Sequence, residues 1–319
     1  MSGIWVVTGG AGFIGSNIAE RLLKEGRTVR VVDDFSSGKR QNLEAARAAA
    51  GGAGTLEVME GNLADADFAR RAVSGAAYVL HQAAVPSVPR SVADPLRTHA
   101  ANATATLNVL MAAREAKVER FVYASSSSAY GDTPVLPKVE TMPTNPLSPY
   151  AIQKLAGEQY ARVFHTLYGV PTVCLRYFNI FGPRQDPASE YAAVIPRFIT
   201  SMAAGTPPLI FGDGGQTRDF CYIDNAVDAN LLACRAGASA LGKAFNIACG
   251  RRVSLLDLVT LLNGILGVKI TPRHEETRAG DVRDSLADIS AASEHLGYVV
   301  KVHLEEGLRR TTAFFLGRS

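Results

Sequence analysis

The chain has 319 residues, with 33 Lys+Arg against 30 Asp+Glu and a formal net charge of +3. Apolar residues make up 47% and charged residues 20%, which fits a globular protein and excludes a disordered, collagen-like or disulfide-dense scaffold. So small a charge leaves no electrostatic footprint for generic nucleic-acid binding. The four cysteines stand too far apart for a metal site or a disulfide framework, so reduced thiols in a cytoplasmic protein are expected. The first residues run straight into a strand, so secretion is not expected, and the longest apolar stretch, Leu255 to Leu266, is too interrupted to span a membrane.

In chain order, Ile4–Thr8 reads as a strand, followed by a glycine-rich turn and a helix over Ser16–Glu25 that Gly26 stops. Val29–Val32, Leu56–Glu60, Tyr78–Leu80, Phe121–Ala124 and Thr172–Leu175 repeat the short apolar run between helical segments. Continuous runs without alternation predict strands covered on both faces. The expected class is therefore α/β: a doubly wound parallel sheet of the Rossmann type. Past residue 180 prolines and glycines become frequent, which predicts a smaller mixed α/β lobe. The expected division is a nucleotide-binding domain over 1–178 and a substrate lobe over 179–319. Residues 224–248, with a helix at Asp224–Arg235 and a strand at Ala244–Ile247, are expected to return to the first. Further helices are predicted near Ser254–Leu266, Ser290–Leu296 and Leu304–Leu316.

Thr8-Gly9-Gly10-Ala11-Gly12-Phe13-Ile14-Gly15 is the most informative stretch. It fits G-x-G-x-x-G through Gly10, Gly12 and Gly15, and G-x-x-G-x-x-G through Gly9, Gly12 and Gly15. Glycines there let backbone N–H groups approach a pyrophosphate resting on the helix N-terminus. Asp33, closing the second strand, is placed to accept hydrogen bonds from an adenosine ribose and would repel a 2′-phosphate, so NAD is favoured over NADP. Lys39 and Arg40 nearby weaken that preference. Ser36, Ser37 and Gly38 extend the candidate cofactor set.

Tyr150 and Lys154 form Y-x-x-x-K on a helix that Ser148 caps, Pro149 opens and Gly169 ends. One turn apart, phenol and ammonium share a face. Ile152, Val163 and Leu167 centre on a different side, leaving the Tyr–Lys face free for a cleft. A phenol acting as base near neutral pH must have its pKa pulled from about 10 to about 7, roughly 4 kcal/mol. A close ammonium and a positive nicotinamide ring both act in that direction. Ser125-Ser126-Ser127-Ser128 follows a strand at the sheet's C-terminal edge, where a hydroxyl can donate to a substrate alkoxide or relay its proton to Tyr150.

Together these segments resemble the extended short-chain dehydrogenase/reductases, specifically the NAD-dependent nucleotide-sugar epimerases. The likeness runs the full length through Thr8–Gly15, Leu80–Ala84, Ser125–Gly131, Tyr150–Lys154, Arg176–Asn179, Arg218–Phe220 and Arg278–Asp281. It implies that Ser126, ahead of Tyr130-Gly131, is the catalytic serine beside Tyr150 and Lys154. It further implies that Gln82, Ala83, Ala84 and Tyr177 stand near the nicotinamide, that Asn102 faces the cofactor, and that Asn62 and Leu63 hold the adenine. Asn179, Arg218 and Arg278 would bind a nucleotide diphosphate and Asp281 its ribose, with Leu209 and Phe211 around a uracil. Two arginines on a diphosphate suit forked, charge-assisted hydrogen bonds.

Family dehydratases carry an Asp-Glu pair directly after the catalytic residue, and decarboxylases a Glu at the second position. Ser127 and Ser128 stand there, which leaves epimerisation. Ser87-Val88-Pro89-Arg90-Ser91 resembles the loop of UDP-N-acetylglucosamine 4-epimerases, and Ser285 is small where a bulky residue would exclude an N-acetyl group. A small residue permits the larger sugar without requiring it. The expected substrate is a UDP-N-acetylhexosamine, with UDP-glucose and UDP-galactose also accepted. Epimerases restricted to UDP-glucose or UDP-glucuronate, a net oxidoreductase and a non-catalytic NAD-sensing protein are the alternatives. The last is disfavoured by intact Ser126, Tyr150 and Lys154. The resemblance implies a homodimer through the helices around 102–115 and 150–168. No metal is expected.

Overall fold

The computed structural model describes residues 3–187, 194–277 and 282–317. Seven strands form one sheet, in the spatial order Lys243–Ile247, Thr172–Tyr177, Arg120–Ser126, Ala76–His81, Ile4–Thr8, Thr28–Asp33, Thr55–Glu60, and every neighbouring pair is parallel. Val6, Val7, Val31, Val79, Leu80, Phe121 and Val122 are fully buried, because helices cover both faces. The predicted strand at 56–60 is the exception. It is the sheet's outer strand and its side chains are mostly exposed.

The chain winds outward in both directions from Ile4–Thr8. The crossovers on its two sides leave the sheet in opposite directions and open a crevice beyond the strands' carboxyl ends. The first helix, Phe13–Lys24, begins earlier than its apolar pattern suggested, because Gly12 is its N-cap. Gly26, at φ +73°, follows its end.

The tyrosine helix runs over Pro149–Tyr168. Ser148 Oγ accepts the Ala151 N–H at 3.2 Å, and Gly169 ends the helix in the left-handed region. Gly157 presses it against the sheet, since a Cβ there would meet the Tyr123 hydroxyl at 2.3 Å. The apolar set sits opposite to a core-facing role: Ile152, Val163 and Leu167 are 57%, 38% and 67% exposed. Ala151, Lys154, Gly157, Glu158 and Ala161 face inward instead, because a helix seated this close to the sheet needs small side chains on that face.

Beyond residue 179, apart from Lys243–Ile247 in the main sheet, the strands are only two or three residues long. Ile180–Phe181 pairs with Cys221–Tyr222, Thr217–Asp219 with Arg252–Ser254, and Leu209–Phe211 with Arg273–Glu275. The helices Val194–Ala203, Leu255–Leu266 and Leu304–Phe315 pack around them. All four cysteines carry free thiols. Among the described residues no helix is long and apolar enough to cross a membrane, and no side-chain cluster could hold a metal ion.

Candidate active site

A cleft of about 830 Å³ occupies the crevice. Gly9, Gly12, Phe13, Ile14, Gly15, Asp33, Ser36, Ser37, Asn62 and Leu63 line it on one side of the first strand. Gln82, Ala83, Ala84, Ser87, Ser126, Ser127, Tyr150, Lys154, Tyr177 and Asn179 line the other. The turn has the shape a dinucleotide needs. A Cβ on Gly15 would lie 2.2 Å from Gly9 O, and one on Gly9 (φ +63°) 2.7 Å from the Ala83 nitrogen. Gly12 caps the following helix without a side-chain hydrogen bond, and the first turn holds no acid. Its N–H groups are left for a pyrophosphate.

Asp33 is buried, with Oδ2 accepting from Ala11 N and Oδ1 from Phe35 N, each at 2.9 Å. Burial, the largest influence, holds its pKa above the ordinary carboxylate value. A Cβ on Gly38 would touch Asp33 Oδ1 at 2.7 Å, so Gly38 lets the neighbouring loop close over the acid. The nearby cations are engaged elsewhere: Lys39 Nζ lies 3.0 Å from Asp186, while Arg40 pairs with Glu60 and covers the Phe35 ring. Asn62 lines the cleft, but its Oδ1 accepts from Ala64 N at 2.9 Å. Asn102 is placed behind the wall. Its Oδ1 accepts from Val85 N at 2.7 Å and its Nδ2 donates to Gln153 Oε1 at 2.8 Å, so it braces the wall instead of lining it.

The catalytic candidates converge. Ser126 Oγ accepts from Ser128 N at 3.2 Å and from Ser128 Oγ at 2.9 Å. With its acceptor sites filled, the Ser126 proton is left for the Tyr150 phenol, which it hydrogen-bonds. Burial raises the Tyr150 pKa and outweighs that bond, so the phenol is the resting form here. This differs from the phenolate that an ammonium neighbour alone would produce. The reason is that Lys154 is itself buried, with its pKa pushed down to about 7 by desolvation. Lys154 Nζ stands 4.7 Å over the Tyr123 ring. Tyr150 N donates to Ser91 Oγ at 3.0 Å, which docks the short helix Val88–Ala93, capped by Ser87, on the tyrosine helix's first turn.

Behind Ser126 lies an ion pair that motif reading missed. Arg176 grips Glu158 through Nη2–Oε1 at 2.6 Å and Nε–Oε2 at 2.9 Å. Ser125 Oγ donates to the same carboxylate at 2.7 Å, and Arg176 Nη1 donates to the Tyr130 hydroxyl at 2.7 Å. Both charges are buried and fully bonded, so the pair fixes the strand end that carries Ser126. The signal available was Glu158 one further turn along the helix from Lys154.

A second cavity of about 240 Å³ is lined by Asn179, Leu209, Phe211 and Arg218, and also by Arg197, Gln216 and Phe220. Asn179 and Ile180 border both cavities, so the two meet there. Asn179 adopts φ +33°, a region asparagine tolerates, and its Nδ2 donates to Asp219 O at 3.3 Å. Arg218 Nη1 donates to Thr217 O at 2.8 Å and Arg283 O at 3.0 Å. Asp219 pins the surrounding loops by accepting from Cys249 N, Gly250 N and Ala287 N at 2.8, 3.0 and 3.2 Å. Burial drives its pKa up to about 6. Ser285 N donates to Thr217 O at 3.1 Å, beside the Arg218 strand, and Ser285 is not among the residues lining either cavity. Arg278 and Asp281 lie outside the described residues.

The sequence model of the NAD dependent epimerase/dehydratase family matches residues 5–248. A UDP-glucose 4-epimerase of Mycolicibacterium smegmatis is 39% identical over 316 residues, covering 98% of this chain and 99% of its own. A UDP-N-acetylglucosamine 4-epimerase of Methanobrevibacter ruminantium, solved with UDP-N-acetylmuramic acid, superposes with a TM-score of 0.92 at 38% identity, covering 100% of this chain and 99% of that one. A UDP-glucose 4-epimerase of Thermotoga maritima, solved with UDP-glucose, gives 0.92 at 39% identity, covering 98% and 99%.

Proposed function

This chain belongs to the NAD-dependent epimerase/dehydratase family, and from that premise we propose that it inverts C4 of a UDP-hexose. The preferred pair is UDP-GlcNAc and UDP-GalNAc, with UDP-glucose and UDP-galactose as secondary substrates. The observation that carries this reading is the junction of the two cavities: Ser126, Tyr150 and Lys154 line one, and Asn179 joins it to the arginine-lined other. The glycine turn and Asp33 hold NAD, which when bound supplies a reversible hydride acceptor.

With a positive nicotinamide ring bound, loss of the Tyr150 phenol proton to solvent is favoured. Tyr150 as phenolate then takes the C4-hydroxyl proton and later returns it, with Ser126 donating its one proton to whichever oxygen carries the negative charge. The Lys154 cation favours that ionised form before the substrate hydroxyl gives up its proton. Arg218 and Arg278 bind the diphosphate, Asp281 the ribose, and Leu209 and Phe211 the uracil. Anchored at its nucleotide, the 4-keto sugar is free to turn about its link to UDP and present its other face. Ser127 and Ser128 supply hydroxyls and no carboxyl group, which disfavours elimination or decarboxylation at this site.

The support for the N-acetylated substrate is the resemblance of Ser87–Ser91, whose Ser87 lines the cleft, to the segment of UDP-N-acetylglucosamine 4-epimerases. The test is a panel of UDP-GlcNAc, UDP-glucose and UDP-glucuronate with C4 inversion followed by NMR. Highest kcat/KM on UDP-GlcNAc is expected; turnover of only UDP-glucose or UDP-glucuronate would replace the substrate assignment. The protein is read as a cytoplasmic homodimer. The support is the exposed apolar stripe of Ile152, Tyr160, Val163 and Leu167, with Met111 exposed on the neighbouring helix Ala105–Glu115.

A further inference from the structure

One titratable group at the heart of the cofactor half has no part in the chemistry above. His81 ends the fourth strand and is fully buried. Its two ring nitrogens each meet one hydroxyl: Nδ1 lies 2.7 Å from Thr8 Oγ1, and Nε2 lies 3.0 Å from Thr106 Oγ1. Hydroxyl protons rotate freely, so the protonation pattern must be worked out from the groups at the ends of the chain.

The far end settles it. Thr106 Oγ1 lies 2.5 Å from Asn102 O, a carbonyl that can only accept, so the Thr106 proton is committed there. Thr106 Oγ1, which also meets the Tyr123 hydroxyl, can then only accept in its contact with the ring, which requires a proton on His81 Nε2. A neutral imidazole protonated at Nε2 has a bare Nδ1, so Thr8 must donate to it. Thr8 Oγ1 is then left as acceptor for the Ala83 N–H at 3.2 Å. The chain runs one way: Ala83 N–H to Thr8, Thr8 to His81, His81 to Thr106, Thr106 to Asn102 O.

Its two ends are the wall of the cofactor cleft. Ala83 lines the cleft. Asn102 sits in the π-turn Ala100–Thr104, accepts from Val85 N, and donates to Gln153 on the tyrosine helix. A doubly protonated ring would make Thr8 accept from Nδ1 as well as from Ala83, leaving the Thr8 proton without the ring as its acceptor and removing the direction of the chain. Burial and the Lys154 charge oppose that state and push the imidazole pKa down to about 3.

We propose that His81 is a positioning residue: as the neutral Nε2–H tautomer it gives direction to this hydrogen-bond chain and so sets where Ala83–Val85 stand relative to Tyr150 and Lys154. The proposal concerns the cofactor wall and holds whichever UDP-sugar is turned over. The first test is nitrogen-15 NMR of the His81 ring in the NAD-bound wild-type protein at neutral pH. A neutral ring with its proton on Nε2 is expected; a proton on Nδ1, or an imidazolium, overturns the proposal. The second uses Thr106→Val, which removes the chain's last donor while keeping its shape. It should weaken NAD binding, measured by calorimetry, about tenfold, and raise the share of turnovers that end in escaped NADH about tenfold, with Thr106→Ser restoring both. A Thr106→Val protein that loses only thermal stability, with NAD affinity and NADH escape unchanged, would make His81 a packing residue and overturn the proposal.

Discussion

The two cavities are built by different means. The cofactor cleft is shaped by backbone: Gly9 and Gly15 are close-approach positions, and the first helix offers bare N–H groups. The second cavity, proposed to take the nucleotide, is shaped by side chains from short strands and from the helix Val194–Ala203, with Arg218 and Phe211 on different strand pairs. In the first, any added atom obstructs; in the second, a lost side chain removes one contact and leaves the rest. Binding at the cleft should therefore be brittle, and binding at the nucleotide cavity graded.

Tyr150→Phe acts on neither cavity's shape and should have the largest effect. Turnover should fall about 10²–10⁴-fold, the usual worth of a positioned acid–base group, while calorimetry finds NAD affinity unchanged. Gly15→Ala tests brittleness. Its Cβ would meet backbone at 2.2 Å, so NAD binding should be lost and Tm lowered by a strain of about 1–3 kcal/mol. Arg218→Met tests gradation. Losing a charged hydrogen-bonding group worth about 1.5–3 kcal/mol should raise KM for the UDP-sugar about 10- to 100-fold and leave NAD affinity alone. Equal loss of NAD affinity in Gly15→Ala and Arg218→Met would erase the distinction.

Two smaller effects sharpen it from the stability side. Burial holds the Lys154 pKa at about 7, below its ordinary 10.5, so the unfolded chain binds more protons between those values. Stability of the NAD-free protein should therefore rise as pH climbs from about 7 toward 10.5. Lys154→Met removes the buried ammonium. It should abolish turnover yet raise the Tm of the NAD-free protein at pH 6 by at least about 2 °C, a gain that shrinks toward pH 10.5. Leu167→Glu charges the exposed stripe on the outer face of the tyrosine helix. Sedimentation should show a monomer with unchanged Tyr150 chemistry; a persisting dimer would place the interface elsewhere.

The same contrast decides what could be read from the sequence. Glycine spacing, Asp33, Ser148-Pro149 and Gly169 report local backbone geometry, and each stands where its pattern placed it. Asn102 was harder, because its side chain is claimed by Val85 and Gln153, partners brought together only by packing. Arg197 and the Arg176–Glu158 pair were hidden for the same reason. Ile152, Val163 and Leu167 lie on a different side of the helix from Tyr150 and Lys154, which line the cleft. Apolar spacing marks a face that avoids water without saying what covers it, and here small residues, Gly157 above all, make the core contact.

The central claim is reversible oxidation at C4 with the hydrogen kept inside the protein. The most direct measurement is NMR of UDP-GlcNAc carrying deuterium at C4, incubated with the protein and NAD. UDP-GalNAc with the deuterium still on C4, and no accumulated NADH, is the predicted result. Deuterium lost to solvent, NADH formed in step with sugar consumed, or no inversion of any UDP-hexose would contradict it.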